Sequence, residues 1–347
     1  MRKLDFYSRA LRGGIAAACA TLAVATAQAG PNQIITFDAP GAGTILGTGT
    51  YPAAISGKSV ITGSYTDDNH VSHGFIGTAT GAMTAFDPPD AGTDPYEGTH
   101  PTAINASGAV AGYYVTSKAH GFLRQGNGTI EEFDIGVGQD TTPLAINNKG
   151  VITGTAGLSG FVRKANGNIS QFSVGGASST GPRSINAAGT VAGSYYLTDG
   201  TQHGFLRTSD GTITTFDVPG GFDSTYVTSI NSEGDMTGFA FNNAAYVGFV
   251  RKGSDGTYSI FYNIGGCQVN RVFPYSINFD GTVVGQCYDD NFVYHGFIRS
   301  SDGTTKLIDA PNASAGTYPV AISANGKAVG YAFDNLSVAH GFRMNAG

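Results

Sequence analysis

From residue 34 onward, apolar and polar side chains alternate in short runs, and each run stops at glycine, asparagine, aspartate or proline. Alternation with a period of two marks a half-buried β-strand, and the stops carry turn chemistry. The stretch from 184 to 217 shows the pattern. Ser184-Ile185-Asn186 closes a short first strand, Ala187-Ala188-Gly189 turns tightly, and 190–196 is a second strand. Residues 197–202 loop into a third strand at 203–207, Ser209-Asp210-Gly211 turns again, and 212–217 is a fourth strand.

The same four-strand unit recurs along the chain. An Ala/Ser-Ile-Asn/Ser triplet ends at Ser56, Asn105, Asn147, Asn186, Asn231, Asn278 and Ser323. A Gly-Phe pair follows each triplet, at Phe75, Phe122, Phe161, Phe205, Phe249, Phe297 and Phe342, and its glycines are 47, 39, 44, 44, 48 and 45 residues apart. An apolar-Asp pair keeps the register at Phe37-Asp38, Phe86-Asp87, Phe133-Asp134, Phe216-Asp217 and Ile308-Asp309, with Phe172-Ser173 and Phe261-Tyr262 as variants. A period near 45 residues suits one four-stranded propeller blade.

The chain opens on a fourth-type strand, 34–38, and finishes on a third-type strand, 340–344. Seven whole units, numbered here by their Gly-Phe pairs, exist only if the first strand joins the last unit. The expected fold is therefore all-β: a seven-bladed β-propeller with four antiparallel strands per blade, closed by the N-terminal strand pairing into the last blade. Closure removes two free sheet edges. Burying one phenylalanine is worth roughly 1.5–3 kcal/mol, so the Gly-Phe aromatics together contribute on the order of 10–20 kcal/mol before entropy costs.

Composition adds location and excludes some partners. Arg2, Lys3, Arg9 and Arg12 precede the small and apolar run 14–27, and Ala27-Gln28-Ala29 suits a signal peptidase. Residues 1–29 read as a signal peptide, and 30–347 as a single propeller domain. The apolar run continues past Cys19, which disfavours a lipoprotein cysteine, and no other stretch is apolar for long enough to span a membrane. The chain carries 52 glycines, no tryptophan and a net charge of −6, which argues against a WD40 propeller and against nucleic acid as a partner. Cys267 and Cys287, the pair left after export, are expected to form a disulfide in a secreted or periplasmic monomer.

His73, His120, His203, His295 and His340 precede Gly-Phe, alongside Gly-x-Val-x-Gly and Phe-Asp strands. Over 34–344 this signature resembles the bacterial extracellular HAF-repeat family, with Ser159 and Val247 departing from it in units three and five. The resemblance implies a place outside the cytoplasm and brings no catalytic residue with it.

Candidate chemistry lies where one unit breaks the repeat. The segment entering each first strand, Thr-Tyr-Pro-x-Ala-Ile-Asn, is expected nearest the central channel. Its tyrosine position holds Tyr51, His100, Thr142, Gly181, Tyr226, Phe273 and Tyr318; two places on come Ala53, Thr102, Leu144, Arg183, Thr228, Tyr275 and Val320. Tyr51, His100, Arg183, Tyr226, Arg271, Tyr275 and Tyr318 are the candidate ligand-binding residues, with Asp94 and Glu97 in the longest connecting loop. His100, Arg183 and Tyr226 are the candidate catalytic set, since a His and a Tyr can move protons and an Arg can neutralise a carboxylate. The recurrent histidines are spread by symmetry and are expected to make structural hydrogen bonds to a neighbouring loop. Asp67-Asp68-Asn69, Asp289-Asp290-Asn291 and Asp334-Asn335 are turn formers without calcium-loop spacing. No metal and no cofactor is expected, and no nucleophile elbow, zinc helix or phosphate loop occurs. Three readings follow: a module binding a glycan or a protein through its loop-rich face, an extracellular polysaccharide lyase or hydrolase, and a structural surface protein.

Overall fold

The computed structural model describes residues 33–346, so the expected signal peptide, 1–29, lies outside the described residues. Among the described residues there are twenty-eight strands and no helix. Each repeat unit gives consecutive strands that pair antiparallel in chain order. Unit four is one sheet, made of Ser179–Ile185, Val191–Tyr196, Gln202–Arg207 and Ile213–Phe216. Its first strand starts earlier than the sequence suggests, because Thr180 and Gly181, loop-like in type, pair with Tyr195 and Ser194. Units three, five and six are separate four-stranded sheets of the same kind. Units one, two and seven share a twelve-stranded sheet, in which antiparallel sets of four are joined by single parallel bridges, Gly49 with Ala339 and Ser72 with Gly98. The N-terminal strand, Ile35–Phe37, pairs antiparallel with Ala339–Asn345, the last strand, and sets Thr36 opposite Phe342.

The packing between sheets explains the repeat. All seven Gly-Phe phenylalanines are fully buried. Five of them lie edge to face beside the fourth-strand aromatic of a neighbouring unit. Phe86 meets Phe122 at 6.0 Å, Phe133 meets Phe161 at 6.2 Å, and Phe172 meets Phe205 at 6.0 Å. Phe37 and Phe75 meet in the same way at 6.4 Å, and Phe261 and Phe297 at 6.3 Å. An arginine two residues after the phenylalanine also covers that aromatic ring, as Arg124 does Phe86 at 5.0 Å and Arg207 does Phe172 at 4.8 Å. The glycine before the phenylalanine has a steric reason: a Cβ on Gly204 would lie 2.7 Å from the Phe216 ring.

The histidines are occupied within their own sheets. His73, His203 and His295 bring Nδ1 to 2.8 Å from the aspartate of the fourth strand, at Asp87, Asp217 and Asp309. His120 meets Asp134 at 3.0 Å, and His340 meets Asp38 at 3.0 Å. The expected loop partner is thus the second contact, through Nε2, as with Thr201 Oγ1 at 2.9 Å. Where histidine is missing its aspartate is missing too: Ser159 Oγ lies 3.2 Å from Ser173 Oγ, and Val247 accompanies Tyr262. Asp67, Asp289 and Asp334 use a carboxylate oxygen to accept backbone N–H groups two and four residues on, which closes their loops. Cys267 and Cys287 form a disulfide.

Candidate functional site

Every first strand carries a β-bulge at one place. The register slips between Pro52 and Ala54, Pro101 and Ala103, Pro143 and Ala145, Pro182 and Ser184, Val227 and Ser229, Pro274 and Ser276, and Pro319 and Ala321. Proline suits a bulge because it has no N–H to give to the ladder. The second-strand glycine opposite is forced by the close approach: a Cβ on Gly193 would lie 2.3 Å from the Gly181 carbonyl oxygen. A bulge re-aims the side chain it frees. Here the freed residues are Ala53, Thr102, Leu144, Arg183, Thr228, Tyr275 and Val320, and all of them line one cavity of about 530 Å³.

Five of the residues singled out from sequence line this cavity: Tyr51, His100, Arg183, Tyr226 and Tyr275. Tyr318 stands behind the wall, stacked on Tyr331 at 5.1 Å. Arg271 lies elsewhere. Its Nη1 donates to the carbonyls of Ala244 at 3.0 Å and Asn270 at 2.8 Å, and its backbone bridges Tyr246, so it ties unit five to the start of unit six. Asp94 and Glu97 do not line the cavity either. Sequence reasoning missed Tyr113, Tyr331 and Ser64, which do. The available signal was the residue after the second-strand glycine, which pairs directly with the variable first-strand position: Tyr113 with His100, Tyr331 with Tyr318, Ser64 with Tyr51.

The aromatic side chains form a continuous belt. From Tyr51 it runs through Tyr331, Tyr318, Tyr294, Tyr288, Phe273 and Phe239 to Tyr226, with neighbouring centroids 4.9–6.2 Å apart. Arg183 ends the belt, its guanidinium 5.0 Å from the centre of the Tyr226 ring. In unit two His100 stacks on Tyr113 at 5.0 Å. Burial pushes the His100 pKa below its usual value, so the ring is neutral at neutral pH. Burial raises the phenols of Tyr51, Tyr113, Tyr275 and Tyr331, and that of Tyr226 despite the opposing Arg183 charge. Tyr318 is pushed up to about 12, mainly by burial. The phenols are therefore hydrogen-bonding hydroxyls at neutral pH. Among the described residues, no aspartate or glutamate lines the cavity. What the arrangement offers is aromatic faces, hydroxyls, one neutral imidazole and one cation.

A second cavity, of about 590 Å³, lies where the N-terminal strand meets unit seven, with Thr36, Asp334 and His340 in its wall. Its two ionisable groups are already engaged, His340 with Asp38 and Asp334 with its own loop, so the cavity shared by all units is the better candidate.

No family model matches the chain, and no curated protein matches it. Solved structures do. A streptogramin B lyase superposes with a TM-score of 0.57 at 14% identity, over 89% of this chain and 97% of that one. A catalytically inactive virginiamycin B lyase from Staphylococcus aureus, solved with quinupristin, gives 0.60 at 12% identity, over 90% and 99%. A puromycin-hydrolyzing peptidase from Mycobacterium tuberculosis gives 0.62 at 9% identity, over 86% of this chain and 50% of that one. At such identities the likeness establishes the fold, a β-propeller module, and nothing further.

Proposed function

We propose that the chain is an exported seven-bladed propeller, a member of the HAF-repeat type, that binds a glycan in the cavity where its first strands converge. The observation that carries this reading is the set of bulge residues: each of the seven units contributes one to a single cavity. Closure is supported by the pairing of the first strand with the last and by contacts between units seven and one, Lys327 Nζ to Ser59 Oγ at 2.6 Å and Asn325 Nδ2 to the Gly57 carbonyl at 2.9 Å. Export is supported by the disulfide.

A sugar presents C–H faces that stack on aromatic rings and hydroxyls that exchange hydrogen bonds with phenols and threonines. The cavity supplies both, on a rigid frame that loses little entropy on binding. A protein ligand fits less well, because a cavity of about 530 Å³ has the size of a small-molecule site, not the footprint of a folded partner. Calorimetry with a panel of oligosaccharides tests the reading. Tyr226→Ala and Tyr331→Ala are each expected to weaken binding by about 0.5–1.5 kcal/mol per lost stacking ring; a wild-type protein that binds no glycan overturns it.

The half-buried neutral imidazole of His100 favours a second reading, a lyase or hydrolase acting on an extracellular polymer with His100, Arg183 and Tyr226 in the roles of base, charge clamp and proton donor. Depolymerisation of a bound polysaccharide, lost in His100→Ala while binding persists, would replace the binding module with the enzyme.

A further inference from the structure

The wall of the cavity is not uniform. Aromatic rings line it from units one, two, five, six and seven, at Tyr51, His100 and Tyr113, Tyr226, Tyr275 and Tyr331. Units three and four put only Thr142, Thr155, Gly181 and Ser194 at the positions matching His100 and Tyr113. Two of the surrounding loops are short there as well, although the hairpin loop of unit four, residues 197–201, is as long as those of units one and six. The second and third strands of unit three are joined by Gly157-Leu158 alone, since Ala156 already pairs with Ser159, whereas residues 67–71 and 289–293 fill the same place in units one and six. The connection into unit four is residues 173–178, against 87–97 into unit two.

Small side chains and short loops together leave a notch, and the notch is a cavity of its own. It has a volume of about 200 Å³, with Thr155, Gly157 and Leu158 on one side and Gly181, Ser194 and Tyr196 on the other. Arg183 lines both this cavity and the central one. Its side chain is exposed, and among the described residues neither cavity is lined by an aspartate or glutamate, although the chain has 25 of them. Arg183 makes no ion pair among the described residues, while Arg163 is paired with Glu131. The guanidinium lies 5.0 Å from the centre of the Tyr226 ring, and a guanidinium makes paired hydrogen bonds to a carboxylate.

We propose that the notch between units three and four is the groove through which an acidic polysaccharide chain leaves the central cavity, with a uronate carboxylate held by Arg183 at the junction. This rests on the glycan-binding reading above. The central cavity stacks one end of the chain; the groove carries the rest outward between Leu158, 72% exposed, and Tyr196, 43% exposed. Thr155, Ser179 and Gln202 supply hydroxyl and amide partners along it. The exit is at Gly181 because the other units place a larger side chain there, tyrosine in units one, five and seven.

Gly181 also supplies the sharpest test. Its φ is not in the left-handed region, and an added Cβ would meet only the Ser194 carbonyl oxygen, at 3.5 Å, an ordinary contact. Gly181→Tyr therefore gives unit four the residue that other units carry and fills the notch without straining the backbone. The probes are galacturonate trimer and decamer and a neutral galactan decamer, titrated by calorimetry into the full protein. Wild type is expected to prefer the galacturonate decamer over galactan by about tenfold or more, and Arg183→Gln to abolish the preference. Arg183→Lys should restore only part of it, because lysine keeps the charge and loses the fork. Gly181→Tyr is expected to weaken the galacturonate decamer about tenfold and leave the trimer unchanged. Equal binding of acidic and neutral decamers by wild type, a preference that survives Arg183→Gln, or full decamer affinity in Gly181→Tyr overturns the groove and leaves glycan binding intact. Failure of all three probes to bind wild type counts against both.

Discussion

Phe205 and Arg207 stand two positions apart on one strand and enclose Phe172 of the preceding sheet from two sides. The phenylalanine supplies burial and the guanidinium covers what would otherwise be an open ring face, so the pair adds a side-chain join to the backbone hydrogen bond that Thr180 N donates to the Leu158 carbonyl between the same two sheets. The repeat of the phenylalanine is plain in the sequence; the purpose of the arginine is not, since a charged strand end ordinarily points to solvent. His100 is the residue whose environment has the clearest solution consequence. Burial holds its folded pKa below the ordinary 6.5, so the unfolded chain takes up the proton first as the pH falls. Stability from this site is complete above the unfolded value and declines as the pH drops below it toward the folded value. His100→Gln should remove that decline, and urea denaturation at a series of pH values checks it: curves for wild type and variant that stay parallel on the acid side would count against a desolvated imidazole.

Two elements recur with a division of labour. The first strand, through its bulge, decides what faces the cavity; in five of the seven units the third and fourth strands are held together by the His–Asp pair. The pair varies as a unit, Ser159 with Ser173 and Val247 with Tyr262, which is the behaviour of partners in contact. Installing Ser159→His and Ser173→Asp together in unit three should yield a favourable coupling of about 0.5–1 kcal/mol that neither change gives alone. A double-mutant cycle by chemical denaturation measures it, and zero coupling would reduce the pair to a surface coincidence. At this scale the candidate site was partly legible. His100 and Arg183 stand out as breaks in the repeat, and both line the cavity, Arg183 from its bulge. Arg271 is as conspicuous a break, yet it sits before the strand, where its side chain meets the carbonyls of Ala244 and Asn270 instead of the cavity.

For the molecule as a whole, the proposed closure puts unusual weight on a short segment. Ile35–Phe37 pairs with the last strand, Phe37 packs on Phe75, and Asp38 receives His340. Removing residues 1–38 should leave Ala339–Asn345 with an unpaired edge, lower the thermal midpoint and promote self-association relative to a protein that starts at residue 30. Light scattering and calorimetry together read this out. A truncated protein that melts like the wild type and stays monomeric would remove the support for a closed arrangement.

Strands, turns and their repetition are local properties, so the amino-acid sequence determined them: side-chain alternation needs only neighbours, and a turn needs only its glycine or asparagine. The burial of every Gly-Phe phenylalanine follows from the same repetition. Which of the variable residues meet was decided by tertiary structure, because it depends on a one-residue slip in each first strand and on partners as far apart as Lys327 and Ser59. Tyr113 and Tyr331 reach the cavity through that geometry, Arg271 is turned away by it, and the notch at Gly181 exists only as a difference between units set side by side.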